Sequence, residues 1–141
     1  MRLRGGRTPN EGRVEIFING QWGTICHDMF DINDARLFCR LLGYGNASLA
    51  VLGSTFGQGS GPVWLDDLQC AGTEPSFFQC QHLSFGRHNC HGHLGDAGVM
   101  CGSESKLTQG NSQSIFLASS ACSIHRKELA YSAYYKRART V

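Results

Sequence analysis

The sequence predicts a small α+β domain held together by disulfides, and three observations carry that expectation. Six of the seven cysteines fall between residues 26 and 101 of a 141-residue chain that also holds 18 glycines, a pattern of loops fastened by covalent links. Residues 14–26 have the alternation and central turn of a β-hairpin. Residues 31–43 have the spacing and end signals of one amphipathic helix. The length suits one domain rather than two.

In the hairpin, Val14, Ile16 and Ile18 alternate with Glu15 and Phe17, the period of a strand with one buried face. Asn19-Gly20 follows, a pair that tolerates the positive φ of a tight turn. Residues 21–26 return as the second strand, with Trp22, Thr24 and Cys26 on one face. Asp31 is placed to cap the helix, because its carboxylate can accept from the free amides of the first turn, and Asp34 adds favourable charge there. Ala35, Phe38, Cys39 and Leu42 recur at i, i+3, i+4 and i+7, and Gly43 ends the run.

The remainder is shorter-ranged. Residues 2–12 read as an apolar-basic lead-in with a Pro9-Asn10 turn. Strands are expected at 47–52, 63–65 and 97–101, with a glycine-dense loop at 56–62. Pro75 suits the first position of a single helical turn over 74–78. Residues 81–96 hold His82, His88, His91 and His93 among glycines and read as one long loop. After Gly102 the chain turns polar and basic, so residues 1–102 are expected to be the domain and 103–141 a poorly ordered tail carrying Cys122.

No C-x-x-C pair occurs, which weighs against a zinc ribbon or a thioredoxin-like redox site. Six spread cysteines imply three disulfides and an oxidising compartment. Fifteen pairings are open to six cysteines, and spacing alone suggests only the local pair Cys70–Cys80. No apolar run approaches the roughly 20 residues of a membrane helix, and the export signal is expected to lie outside this chain.

Residues 1–102 carry seven Lys/Arg against nine Asp/Glu, a net of −2 that argues against a dedicated nucleic-acid partner. Residues 103–141 carry six against two.

With the elements placed, the chain resembles a scavenger receptor cysteine-rich domain. The likeness rests on Arg2-Leu3-Arg4-Gly5-Gly6, Gly20-Gln21-Trp22-Gly23-Thr24-Ile25-Cys26 and Cys39-Arg40-Leu41-Leu42-Gly43. It continues through Trp64-Leu65-Asp66-Asp67, His88-Asn89-Cys90 and Asp96-Ala97-Gly98-Val99, in unbroken order over residues 2–102. The resemblance implies a curved antiparallel sheet cradling one main helix, with bridges Cys26–Cys90, Cys39–Cys101 and Cys70–Cys80. Tyr44 stands where eight-cysteine members carry an extra cysteine, so this is a six-cysteine, group A-like pattern. Cys122 has no counterpart and is expected to be unpaired.

The resemblance also implies non-enzymatic ligand binding by exposed surface, often with calcium held in acidic clusters. One family site maps onto Asp28, Asp31 and Gly95, so it lacks its third carboxylate. A second maps onto His27, Asp66 or Asp67, and Asn89, with an imidazole in place of an acid. Imidazole is a poor calcium ligand, and weak calcium binding or none is expected. The run from Val14-Glu15 to Trp22 is associated in the family with bacterial surface recognition, although Val14 and Trp22 read more simply as core.

Arg2, Arg4, Arg7, Arg13 and Arg87 are candidate anion contacts, since guanidinium forks suit sulfate, phosphate and carboxylate. The four loop histidines read as surface groups whose protonation near pH 6 would strengthen polyanion binding. Asn46-Ala47-Ser48 is a glycosylation sequon expected on a surface loop. No nucleophile motif or phosphate loop occurs, so no enzymatic activity is expected.

The reading is an extracellular module, secreted or part of an ectodomain, for polyanionic, microbial or protein ligands. The alternative is an accessory positioning domain of a larger secreted protease or oxidase. An intracellular zinc module is a distant third.

Overall fold

The computed structural model describes residues 1–102; the expected tail 103–141 and Cys122 lie outside the described residues. Six strands and one helix follow in chain order: β1 (Arg2–Gly5), β2 (Glu11–Ile18), β3 (Gln21–Ile25), α1 (Ile32–Leu41), β4 (Asn46–Val51), β5 (Val63–Leu65) and β6 (Gly98–Gly102). They form one sheet in the order β4-β6-β2-β3-β5, with β1 added to β2. Glu15 pairs with both Arg2 and Thr24, and Arg13 with both Arg4 and Gly98. Hence β1 lines one edge of β2, while β6 and β3 share the other, end to end.

The expected antiparallel sheet is antiparallel in all but one pairing. β5 runs parallel to β3, because the chain reaches it through the helix and β4 rather than through a turn. Irregularities at Ala47/Leu49 and Thr24/Ile25 interrupt the ladders, and such bulges bend a sheet locally.

The hairpin turn forms as its sequence dictates, with Asn19 at φ 51° and Gly20 at φ 77°. The helix cap is also as expected. Asp31 Oδ1 accepts from the Asn33 and Asp34 amides at 2.9 and 3.4 Å, and Asp34 Oδ2 accepts from the Asp31 amide at 2.8 Å. At the other end, Gly43 (φ 89°) and Tyr44 donate to the Arg40 and Cys39 carbonyls, a Schellman ending. Leu42 serves as C-cap and is half-buried, while Leu37, outside the expected apolar face, is fully buried.

Val14 and Ile16 of β2, Ile25 of β3, Phe38 of α1, Leu65 of β5 and Val99 of β6 meet in the core between sheet and helix. Phe30, Phe38 and Phe77 stack through it with ring centroids 6.1 and 6.0 Å apart. Three disulfides, Cys26–Cys90, Cys39–Cys101 and Cys70–Cys80, close the frame. Cys39 on α1 and Cys101 on β6 tie the helix to the strand it packs against.

Three local expectations need correction. Residues 2–5 form strand β1, whose basic residues hid its alternation. The turn near Pro75 is a 3₁₀ turn over Phe77–Gln79 capped by Ser76, whose hydroxyl accepts from the Phe78 amide. Asn46 opens β4 rather than sitting in a loop, yet it remains exposed. Among the described residues, no helix is long and apolar enough to cross a membrane.

Candidate functional site: two charged clusters

Directly paired antiparallel residues share a sheet face. The register therefore places Arg2, Arg4, Arg13, Glu15, Phe17 and Trp22 on the face away from α1. Glu15 is only 6% exposed although it reads as an outward strand residue. It is held by Arg2 Nε at 2.8 Å and by Arg13 NH2 at 2.9 Å. Burial alone would raise the Glu15 carboxyl, but the bonds from Arg2 and Arg13 outweigh it and hold the group below its ordinary value.

Arg13 also donates to the Phe56 and Gly57 carbonyls, pinning the glycine-dense loop to the sheet. It is thus a structural arginine rather than an open anion contact. Arg2 lies 3.9 Å above the Trp22 ring, and Phe17 packs beside that ring at 5.1 Å. Val14 is core, as its alternation suggests, whereas Trp22 is half-buried on the opposite face. Arg4, Arg7 and Arg87 are exposed, and no carboxylate pairs with them among the described residues. Arg4 and Arg7 adjoin on β1 and the turn after it. Arg87 stands apart, on the loop that hydrogen-bonds to Trp64 through Gly86.

The second cluster is acidic. Ligand oxygens of Asp28, Asp66 and Asp67 all lie within 4.8 Å of one another. Asp28 follows Cys26 just beyond β3, and Asp66 and Asp67 follow β5, so the parallel β3–β5 pairing brings the two segments side by side. The Asn89 amide nitrogen lies 2.9 Å from Asp66 Oδ2 and 3.1 Å from Asp28 Oδ2 when its NH2 faces them. The Asn89 backbone amide donates to Asp66 Oδ2 at 3.1 Å. Asp67 Oδ2 is buried with no hydrogen-bond partner among the described residues.

Burial raises all three carboxyls. For Asp67 the further cause is the negative charge of Asp66 and then Asp28, which together push it up to about 7. Asp28 is raised by burial and by Asp66, and Asp66 by burial against the opposing bonds from Asn89 and Asp67. Crowded like charges with an orphaned oxygen call for a counter-charge. An all-oxygen donor set of three carboxylates and a side-chain amide suits a hard cation such as calcium.

The residues of two separate sequence-derived sites are therefore redistributed. Asp28, Asp66, Asp67 and Asn89 form one cluster, while Asp31 is drawn away to cap α1. His27 is adjacent, with Nε2 3.8 Å from Asp28 Oδ1. Its Nδ1 accepts from the Gly53 amide at 2.8 Å, which fixes the ring. Gly95 packs over His27, where an added Cβ would come 3.1 Å from the ring.

The loop histidines do not act as one surface group. His82 stacks on Phe85 at 5.1 Å. His93 reaches inward, with Nδ1 3.0 Å from Asp96 Oδ2 and Nε2 2.9 Å from the Gly61 carbonyl. Asp96 Oδ2 in turn accepts from the Gly59 amide at 2.7 Å. His93 and Asp96 thus clamp the 57–61 loop, a role that a count of histidines per loop does not reveal.

A disulfide-framed sheet with one capped helix, bearing a basic face and a separate acidic cluster, defines a small cysteine-rich α+β module. Residues 4–102 match the scavenger receptor cysteine-rich domain, and the chain belongs to that family.

Among curated relatives, the chain is 50% identical over 108 residues to the galectin-3-binding protein of Pongo abelii, covering 77% of this chain and 18% of that protein. It is 52% identical over 101 residues to the macrophage receptor MARCO of Mesocricetus auratus, covering 72% of this chain and 20% of that receptor. The chain thus spans about a fifth of the length of these relatives.

Of solved structures, the SRCR domain of mouse MARCO in its dimeric form is 47% identical with a TM-score of 0.61, over 72% of this chain and 94% of that one. The third SRCR domain of murine neurotrypsin is 48% identical with a TM-score of 0.65, over 71% and 92%.

Proposed function

We propose that the domain is an extracellular, non-enzymatic module that binds polyanionic ligands, microbial surfaces or proteins bearing such charge, through Arg4 on β1 and Arg7 just after it. The observation that carries this reading is the division of labour on the outer face. Arg2 and Arg13 are spent on Glu15, which leaves the Arg4 and Arg7 guanidiniums exposed and, among the described residues, without an acid partner. Exposed guanidiniums take sulfate, phosphate or carboxylate bidentately and are weakened by salt. The acidic cluster at Asp28, Asp66, Asp67 and Asn89 is proposed as a separate calcium-class cation site. A cation there would let a second anionic group dock without repulsion.

The test is elution from immobilised heparin in a salt gradient, comparing the protein with Arg4→Gln/Arg7→Gln and with Arg13→Gln. The double variant should elute at clearly lower salt. Arg13→Gln should retain most of its binding while losing stability. Unchanged elution of the double variant would refute the arginine reading.

A further inference from the structure

The same outer face carries a cavity of about 400 Å³ that Arg7 borders. Its floor is apolar, formed by Leu49 and Val51 of β4, Met100 of β6 and the Phe56 ring, and Arg7 and Glu11 stand at its rim. The register explains why these side chains converge. Leu49 pairs with Met100, Val51 with Gly98 and Glu11 with Met100, so all lie on the face away from the helix.

The cavity depends on glycine. A Cβ on Gly98 would come within 2.7 Å of Phe56 Cδ2, and one on Gly5 within 2.1 Å of the Phe56 carbonyl oxygen. Only at these two bare positions can the Phe56 segment lie against the sheet and wall the groove.

The size and rim narrow the occupant. A volume near the low end of ligand pockets, which start at roughly 300 Å³, holds one short chain rather than a helix or a folded partner. The rim is charged unevenly in what it offers. Glu11 Oε1 is engaged by the Arg7 backbone amide at 2.9 Å. The Arg7 guanidinium carries no carboxylate partner among the described residues, and exposed Arg4 lies three residues before it, on β1.

We propose that this groove seats the aliphatic tail of an anionic lipid-type amphiphile, whose sulfate or phosphate head lies at Arg7 and Arg4. The assignment rests on the anion-binding reading of those arginines and adds the ligand's apolar half. It places one amphiphilic ligand across two neighbouring features: a cationic edge for the head and an apolar-floored groove for the chain.

The experiment is calorimetric titration with n-alkyl sulfates from ethyl to octyl, below micelle-forming concentrations, against n-alkyl glucosides of the same lengths. Affinity for the sulfates should tighten about two- to fourfold per added methylene, the gain expected from burying each CH₂. Leu49→Gln/Met100→Gln, with its unfolding midpoint checked, should flatten that dependence while keeping ethyl sulfate binding. Arg4→Gln/Arg7→Gln should weaken all the sulfates by a similar factor and keep the dependence on length.

A flat sulfate series from a protein that still binds heparin would overturn the groove alone, as would a chain-length dependence that survives in the folded Leu49→Gln/Met100→Gln variant. Glucosides binding as tightly as sulfates would overturn the anionic head while leaving an apolar groove in place, and unchanged heparin elution of Arg4→Gln/Arg7→Gln would overturn the arginine reading beneath it.

Discussion

Replacing Asp67 with Asn removes one of three crowded carboxylates while keeping the backbone it sits on. Asp67 has φ 52°, a left-handed conformation that Asn adopts readily. Its carboxyl is raised to about 7 by burial and by the charges of Asp66 and Asp28. In the unfolded chain it ionises near the ordinary aspartate value of about 3.9. Between those values the folded state binds more protons than the unfolded one. Stability therefore falls as pH rises from about 4 to about 7, and the full penalty is present above that.

Three pH units at about 1.4 kcal/mol each set a ceiling near 4 kcal/mol. Asp28 opens the cluster to solvent, and water and salt screen the repulsion, which brings the expected penalty to about 1–2 kcal/mol. The three groups titrate together, so the penalty belongs to the set.

Urea unfolding at pH 5, 6, 7 and 8, without divalent ions, reads it out. The protein should lose about 1–2 kcal/mol across that range. Asp67→Asn should lose less than half as much and be the more stable of the two at pH 8. Calcium added at pH 8 should raise the stability of the unsubstituted protein by mass action and that of Asp67→Asn less. A flat pH profile, or an Asn variant less stable at pH 8, would refute the account of crowded charge. Calcium without effect on either protein would refute the cation site.

Other expectations follow from the frame and the basic face. Glu15→Gln strands the Arg13 guanidinium against the sheet and should cost about 2 kcal/mol in denaturant unfolding. Because the Glu15 carboxyl is held low, its contribution is present above about pH 4 and is lost as pH falls through its folded value, so the difference between the two proteins should vanish in acid. Cys39→Ala/Cys101→Ala opens a link across 62 residues and should cost about 4 kcal/mol on loop-entropy grounds, read as a lower thermal midpoint. His93→Ala removes the bond to the Gly61 carbonyl and the contact with Asp96. It should cost about 1 kcal/mol and speed amide hydrogen exchange in residues 57–61, and unchanged exchange there would contradict the clamp.

Local signals were legible where one stretch of chain suffices to satisfy its own physics. Asn19-Gly20 needs only its own backbone freedom to turn, and Asp31 needs only the amides two and three residues on to cap α1. Strand β1 was not legible. Arg2 and Arg4 face outward beside acidic or basic neighbours rather than water alone, and its pairing partner lies about ten residues away. Alternation puts Glu15 on the face opposite Val14 and Ile16, and nothing in the order of residues shows that Arg2 arrives from another strand to bury it. Likewise, His93 counted as one surface histidine among four until its partners, Asp96 and Gly61, were brought to either side of its ring.

The sequence by itself determined the hairpin, the capped helix, the need for covalent links and, through resemblance, the family and its three bridges. These depend on backbone conformation, hydrophobic period and cysteine placement, all of which are local or carried by motif. Only the tertiary structure decided which charges meet. It set Glu15 between Arg2 and Arg13, leaving Arg4 and Arg7 exposed with no carboxylate partner among the described residues. It gathered Asp28, Asp66 and Asp67 through the parallel β3–β5 pairing, held Asn89 beside them next to the Cys26–Cys90 bridge, and left Asp31 to the helix. Electrostatic pairing depends on distances of a few ångströms between segments remote in sequence, and register fixes those distances where composition does not.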